Sequence, residues 1–187
     1  GAIALQPNRQ ILIGGSFTTV NGAARRNIAR LNADGTVDPT FNPNADGQVR
    51  CTVLQPDGKI LIGGNFFSVG GASRSFIARL NSNGTPDLSF NPGLDAAVYS
   101  MALQIDGRLV VGGAFTVAGG QTRNHVARIN ADGTVEVFFG PHAPNGKQAN
   151  WVPTEPKGKF ELLFRLYGPE KPFFDKQWRL PDVERVQ

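Results

Sequence analysis

The chain has 187 residues, 40% of them hydrophobic and 18% charged, a composition that excludes wholesale disorder and a length that can bury roughly 70% of the unfolded surface in one body. Nineteen Lys and Arg against fifteen Asp and Glu leave a formal net charge of +4, but the basic residues are spread singly, without a block or an aromatic ladder, which argues against nucleic acid as a partner. No apolar run approaches the ~18 residues of a membrane-spanning helix, and 23 Gly with 13 Pro favour strands and turns over helices.

The elements recur in chain order. The cassette Ile11-Leu12-Ile13-Gly14-Gly15-Ser16-Phe17 returns as Ile60-Leu61-Ile62-Gly63-Gly64-Asn65-Phe66 and as Leu109-Val110-Val111-Gly112-Gly113-Ala114-Phe115. The first glycine moves from 14 to 63 to 112, an offset of 49 residues each time, which marks repeated supersecondary units. Ahead of each cassette a first strand is predicted at Ile3–Gln6, Thr52–Gln55 and Met101–Gln104. Asp57-Gly58 and Asp106-Gly107 make tight turns into the cassette, with Pro7-Asn8-Arg9 in their place in the first copy. The cassette is the second strand, and its unbroken apolar run predicts cover on both faces. Its glycine doublet permits a sharp bend or the close approach of another backbone. Strand residues follow the doublet rather than a helix N-terminus, so it does not read as a phosphate cradle.

A polar loop (Val20-Asn21-Gly22, Val69-Gly70-Gly71, Ala118-Gly119-Gly120) leads to a third strand, Ile28–Asn32, Ile77–Asn81 and Val126–Asn130. Asp34-Gly35, Asn83-Gly84 and Asp132-Gly133 then turn the chain into a short fourth strand ending at Phe41, Phe90 or Phe139. Four strands per 49 residues match one β-propeller blade. The expected architecture is all-β, with three blades at about 1–49, 50–98 and 99–140 and a β-rich tail at 141–187. Propellers close with about four to eight blades, so three leave open edges where self-association is expected. The tail strand Phe160–Tyr167 is expected to cover one edge. The chain opens at Gly1, inside repeat one, and reads as a fragment.

The repeated residues from Leu54 to Gly93, with Ile-Leu-Ile-Gly-Gly, Ile-Ala-Arg-Leu-Asn and Phe-Asn-Pro-Gly, resemble the bacterial delta-60 repeat across about residues 1–140. That resemblance implies a β-propeller repeat of long surface and secreted proteins, hence an exterior location. The tail resembles the end of the family called domain of unknown function 1214. The residues that carry this are Asp132–Pro141, Asn150-Trp151-Val152-Pro153-Thr154, Leu163–Pro169 and Phe173-Phe174-Asp175-Lys176 with Trp178. It implies a mainly β domain and no established chemistry. Both resemblances claim residues 130–141, where a recombination, assembly or design junction is expected.

Candidate chemistry is sparse. Arg30, Arg79 and Arg128 could line a channel for an anion, but pairing with Asp38, Asp87 and Glu136 is the favoured reading. Asp34–Asp38 lacks the alternating oxygen ligands and distal Glu of a calcium loop. His125 and His142 have no companion ligands at zinc spacing. Cys51 fills the slot of Ala2 and Ser100 and reads as a packed thiol, while Ser16 is in no nucleophile elbow. Glu155, Glu161 and Glu170 read as surface carboxylates beside Lys157, Lys159 and Lys171 rather than a glycosidase pair. No catalytic, metal or cofactor residue is nominated. The expected function is noncatalytic binding or display at the bacterial exterior, with an unknown protein or glycan partner. The alternatives are a propeller-type hydrolase or lyase with its site on the loop face, and a chimeric fusion with no evolved function of its own.

Overall fold

Each repeat forms a three-stranded antiparallel meander in the computed structural model, which describes residues 1–135 and the backbone of Phe138–Gly140 and Trp151–Pro153. The first blade orders β1 (Ala2–Leu5), β2 (Ile11–Gly14) and β5 (Ile28–Leu31), with a small hairpin of β3 (Thr19–Val20) and β4 (Ala23–Ala24) set into the loop. The second repeats this with β6 (Gln48–Leu54), β7 (Ile60–Asn65) and β10 (Ile77–Leu80), and the hairpin β8 (Ser68–Val69) with β9 (Ala72–Ser73). The third has β11 (Val98–Leu103), β12 (Leu109–Gly113) and β15 (Val126–Ile129), with β13 (Val117–Ala118) paired to β14 (Gln121–Thr122). Beyond it β16 (Phe138–Gly140) pairs in parallel with β17 (Trp151–Pro153). The fold is all-β, and among the described residues no helix is long and apolar enough to cross a membrane.

The turns form as their chemistry dictates. Gly58 has φ 83° and donates its N–H to the Gln55 carbonyl at 3.0 Å, while Asp57 Oδ1 accepts the N–H of Lys59 at 3.1 Å. Arg9 holds the equivalent left-handed position in the first copy, with φ 67°.

The fourth strand, expected to be short, is shorter still in the first two blades. There it is reduced to single bridges, Leu31 to Val37 and Leu80 to Pro86. The next residue ends the pairing in each case. Asp38 Oδ1 accepts the Thr40 N–H at 2.8 Å and Asp87 Oδ1 that of Ser89 at 3.0 Å, bending the chain locally instead of extending the ladder. In the third copy the residues around Phe139 form β16, whose partner is β17. The tail strand expected at Phe160–Tyr167 lies outside the described residues.

The blades stand side by side, with β6 lying against both β1 and β11, and two apolar cores fill the gaps. Between blades 1 and 2 lie Leu12, Ile28, Phe41, Ala45, Val49, Ile60, Ile62, Phe66, Val69, Ala78 and Leu80. Adding 49 to each number gives Leu61, Ile77, Phe90, Leu94, Val98, Leu109, Val111, Phe115, Ala118, Ala127 and Ile129, all in the core between blades 2 and 3. On β7, Ile60 and Ile62 serve the first core and Leu61 the second, so the unbroken apolar run is covered on both faces.

Candidate functional site

The recurring arginine sits at an odd step of the third strand. Ile28 and Arg30 point toward blade 2 while Ala29 points away, the period-two consequence of the pleat. Arg30 is buried, and its Nε donates to Asp38 Oδ2 at 2.8 Å. Its Nη1 donates to the Ser82 carbonyl of blade 2 at 2.6 Å, and its guanidinium carbon lies 4.5 Å from the Phe41 ring centroid. Arg79 repeats all three contacts. It binds Asp87 Oδ2 at 2.9 Å, donates to the Ala131 carbonyl of blade 3, and lies 4.7 Å from the Phe90 centroid. The favoured pairing therefore holds for Arg30 and Arg79, and Glu136, the expected partner of Arg128, lies outside the described residues. What sequence reasoning missed is the cross-blade bond, whose acceptor is 52 residues away in both copies.

The carboxylates respond to this setting. Burial alone pushes Asp38 up, but the hydroxyl and N–H of Thr40 and then the Arg30 guanidinium outweigh it and hold the carboxyl at about 2. For Asp87 the Ser89 hydroxyl acts first and Lys59 Nζ, at 2.9 Å, second; they hold it well below the usual carboxylate range. Both pKa values lie below the 3.8 of an unfolded aspartate. Their stabilisation is thus complete above about pH 4 and is lost as pH falls through the folded values. The melting temperature is expected to stay level from pH 7 to about 4.5 and to drop steeply toward pH 2, with Asp38 contributing about 2 kcal/mol at one unit per 1.4 kcal/mol. Calorimetry of Asp38→Asn against the parent over this range checks it. A variant with an unchanged acid slope would remove Asp38 as a source.

Other nominated positions are structural in their surroundings. Asp34 Oδ1 accepts the N–H and hydroxyl of Thr36 at 2.9 and 2.6 Å, and Asp132 treats Thr134 the same way. His125 is exposed with φ 68°, a left-handed position it shares with Asn27 and Phe76, and its Nδ1 is 3.1 Å from the Gly113 carbonyl. Burial pushes the Cys51 thiol up to about 11, which suppresses the reactive thiolate. Ser16 is exposed, and no three His, Cys, Asp or Glu side chains come together as metal ligands among the described residues. His142, Glu155, Glu161 and Glu170 lie outside those residues.

Two further devices escaped the sequence reading. Asp46 Oδ1 accepts the N–H groups of Phe67 and Ser68, and Asp95 Oδ1 those of Thr116 and Val117, so each linker aspartate ties down the next blade's loop. The spacing of 46 to 95 was the available signal. The other device lies at the inner edge. Both β6 and β11 shift register at one residue, between Val49 and Cys51 and between Val98 and Ser100. Those bulges re-aim Arg50 and Tyr99 outward. Both are exposed, and the Arg50 guanidinium stacks over the Tyr99 ring at 5.3 Å across the blade boundary.

Comparison with protein families agrees with this architecture. Residues 6–41 and 55–90 match the family described as domain of unknown function (DUF5122) beta-propeller. Residues 79–171 match the family described as protein of unknown function (DUF1214). The chain thus matches a propeller-repeat model first and a DUF1214 model after it, and the two matches share residues 79–90. That second match starts well ahead of the Asp132 at which the tail resemblance begins, and it takes in the whole of blade 3. No curated protein matches the chain.

Proposed function

We propose that this propeller-repeat segment, continued by its DUF1214 region, is a noncatalytic binding module of the cell exterior, and that it engages a glycan or an extended peptide over the exposed ends of its inner strands. The observation that carries the reading is the Arg50–Tyr99 stack. Its two residues occupy one repeat position, differ in type, and present a cation and an aromatic face to solvent. By contrast the repeated charged residues, Arg30 with Asp38 and Arg79 with Asp87, are occupied in joining blades. A scaffold that repeats its joints and varies its exposed bulges suits recognition, and aromatic rings with adjacent cations bind sugars or carboxylates.

Glycan and peptide arrays probed with the full chain test this. Binding that falls at least tenfold in Tyr99→Ala and Arg50→Ala, with melting unchanged, supports it. Release of reducing ends or unsaturated products from polysaccharides would replace it with the hydrolase or lyase reading.

A further inference from the structure

We infer that the protein pairs head to tail with a second copy of itself, blade 3 of one chain seating on blade 1 of the other to complete a six-blade ring. The argument rests on the repeated interface. Blade 2 packs on blade 1, and blade 3 on blade 2, through the same eleven positions shifted by 49 residues. Each interface joins one face formed by positions such as Leu12 and Ile28 to an opposite face formed by Ile60, Ile62, Phe66, Val69 and Leu80.

Blade 1 carries the second kind of face with nothing from this chain's described residues upon it. Ile11, Ile13, Phe17, Val20 and Leu31 sit 49 residues before Ile60, Ile62, Phe66, Val69 and Leu80. All five of those counterparts are 0% exposed, whereas every one of the blade 1 residues is only partly covered. What is open here is a sheet face, not the strand edge foreseen from blade number. Blade 3 offers the matching first kind of face. Val110 and Val126 correspond to Leu61 and Ile77, yet Val126 is 53% exposed where Ile77 is 1%.

One chain thus holds both halves of an interface that it already uses twice. Among the described residues neither face meets its complement, and a second copy carries one of each kind. Two copies of the three described blades give six, within the roughly four to eight at which propellers close, and the cycle ends at a dimer.

Light scattering coupled to size exclusion on the full chain, across a range of concentrations, reads the outcome. The expected parent mass is twice 20.0 kDa. Ile13→Glu, which charges the blade 1 face, and Val126→Lys, which charges the blade 3 face, should each be monomeric. Mixed in equal amounts, they should recover a one-to-one dimer, because one intact face of each kind remains. Phe17→Glu replaces Ile13→Glu if the latter does not melt cooperatively. A parent that stays monomeric overturns the inference, as does a mixture that does not pair. A dimer lost in Ile13→Glu but kept in Val126→Lys would mean that blade 1 pairs with itself, and also overturns it.

Discussion

Arg30→Met is expected to cost roughly 3–5 kcal/mol of unfolding free energy, because it strands a buried carboxylate. Asp38 would keep Gln10 Nε2 at 3.1 Å and the two Thr40 donors, but no cation. The Ser82 carbonyl of blade 2 would lose its donor, and the Phe41 ring its cation. The same change at Arg79 is expected to cost distinctly less, although the two arginines are equally buried. There Lys59 Nζ stays 2.9 Å from Asp87 Oδ2, so the carboxylate retains a positive partner. Denaturant titration of the two variants decides it. Adding Lys59→Met to Arg79→Met should cost more than the sum of the two single changes, since only the double variant leaves Asp87 uncompensated. Equal losses for Arg30→Met and Arg79→Met would show that the cross-blade bond and ring contact dominate instead of the charge on the aspartate.

Gly64→Ala should be the most damaging of the alanine changes in the three glycine doublets. A Cβ there would lie 2.0 Å from the Gln48 carbonyl oxygen, and at Gly113 it would lie 2.1 Å from that of Ala97. Both obstacles are backbone atoms, of Gln48 within β6 and of Ala97 directly before β11, and neither can swing aside, so the cost reaches the upper part of the ~1–3 kcal/mol seen for overpacking, or beyond. Gly15 holds the same repeat position, yet a Cβ there meets only the Phe17 ring at 3.2 Å. Gly15→Ala is therefore expected to fall within about 0.5 kcal/mol of the parent. The first glycines of the doublets show the same logic across blades. At Gly14 and Gly63 a Cβ would strike Val49 and Val98 of the following blade at 2.6 and 2.7 Å, while at Gly112 the nearest atom is Ser100 Oγ at 3.0 Å. Melting temperatures of the six alanine variants would test this as a set. Equal losses at Gly15 and Gly64 would exclude close backbone approach as the reason for the doublet.

These two experiments also separate what is local in the chain from what is not. The 49-residue period, the hairpin turns and the two-faced second strand are written in the order of residues along the chain, and the sequence alone exposes them. Pairing of Arg30 with Asp38 and of Arg79 with Asp87 spans eight residues within one blade, close enough to anticipate from the repeat. The same holds for the glycine doublet as a place of close approach, although not for what approaches it.

Contacts between blades decided the rest. The carbonyls of Ser82 and Ala131 become acceptors only when the next blade is in place, and no residue type marks a carbonyl in advance. The fourth strand shrank to a bridge because Asp38 and Asp87 turn their carboxylates to Thr40 and Ser89, a local option that competes with the ladder. Register shifts on β6 and β11 brought Arg50 over Tyr99, and a bulge leaves no pattern in a strand of mixed residues. Periodicity is written along the chain, so the sequence by itself determined the blades and their number. Which faces meet, and which remain open, was settled only by tertiary packing, because those contacts join residues a whole repeat apart.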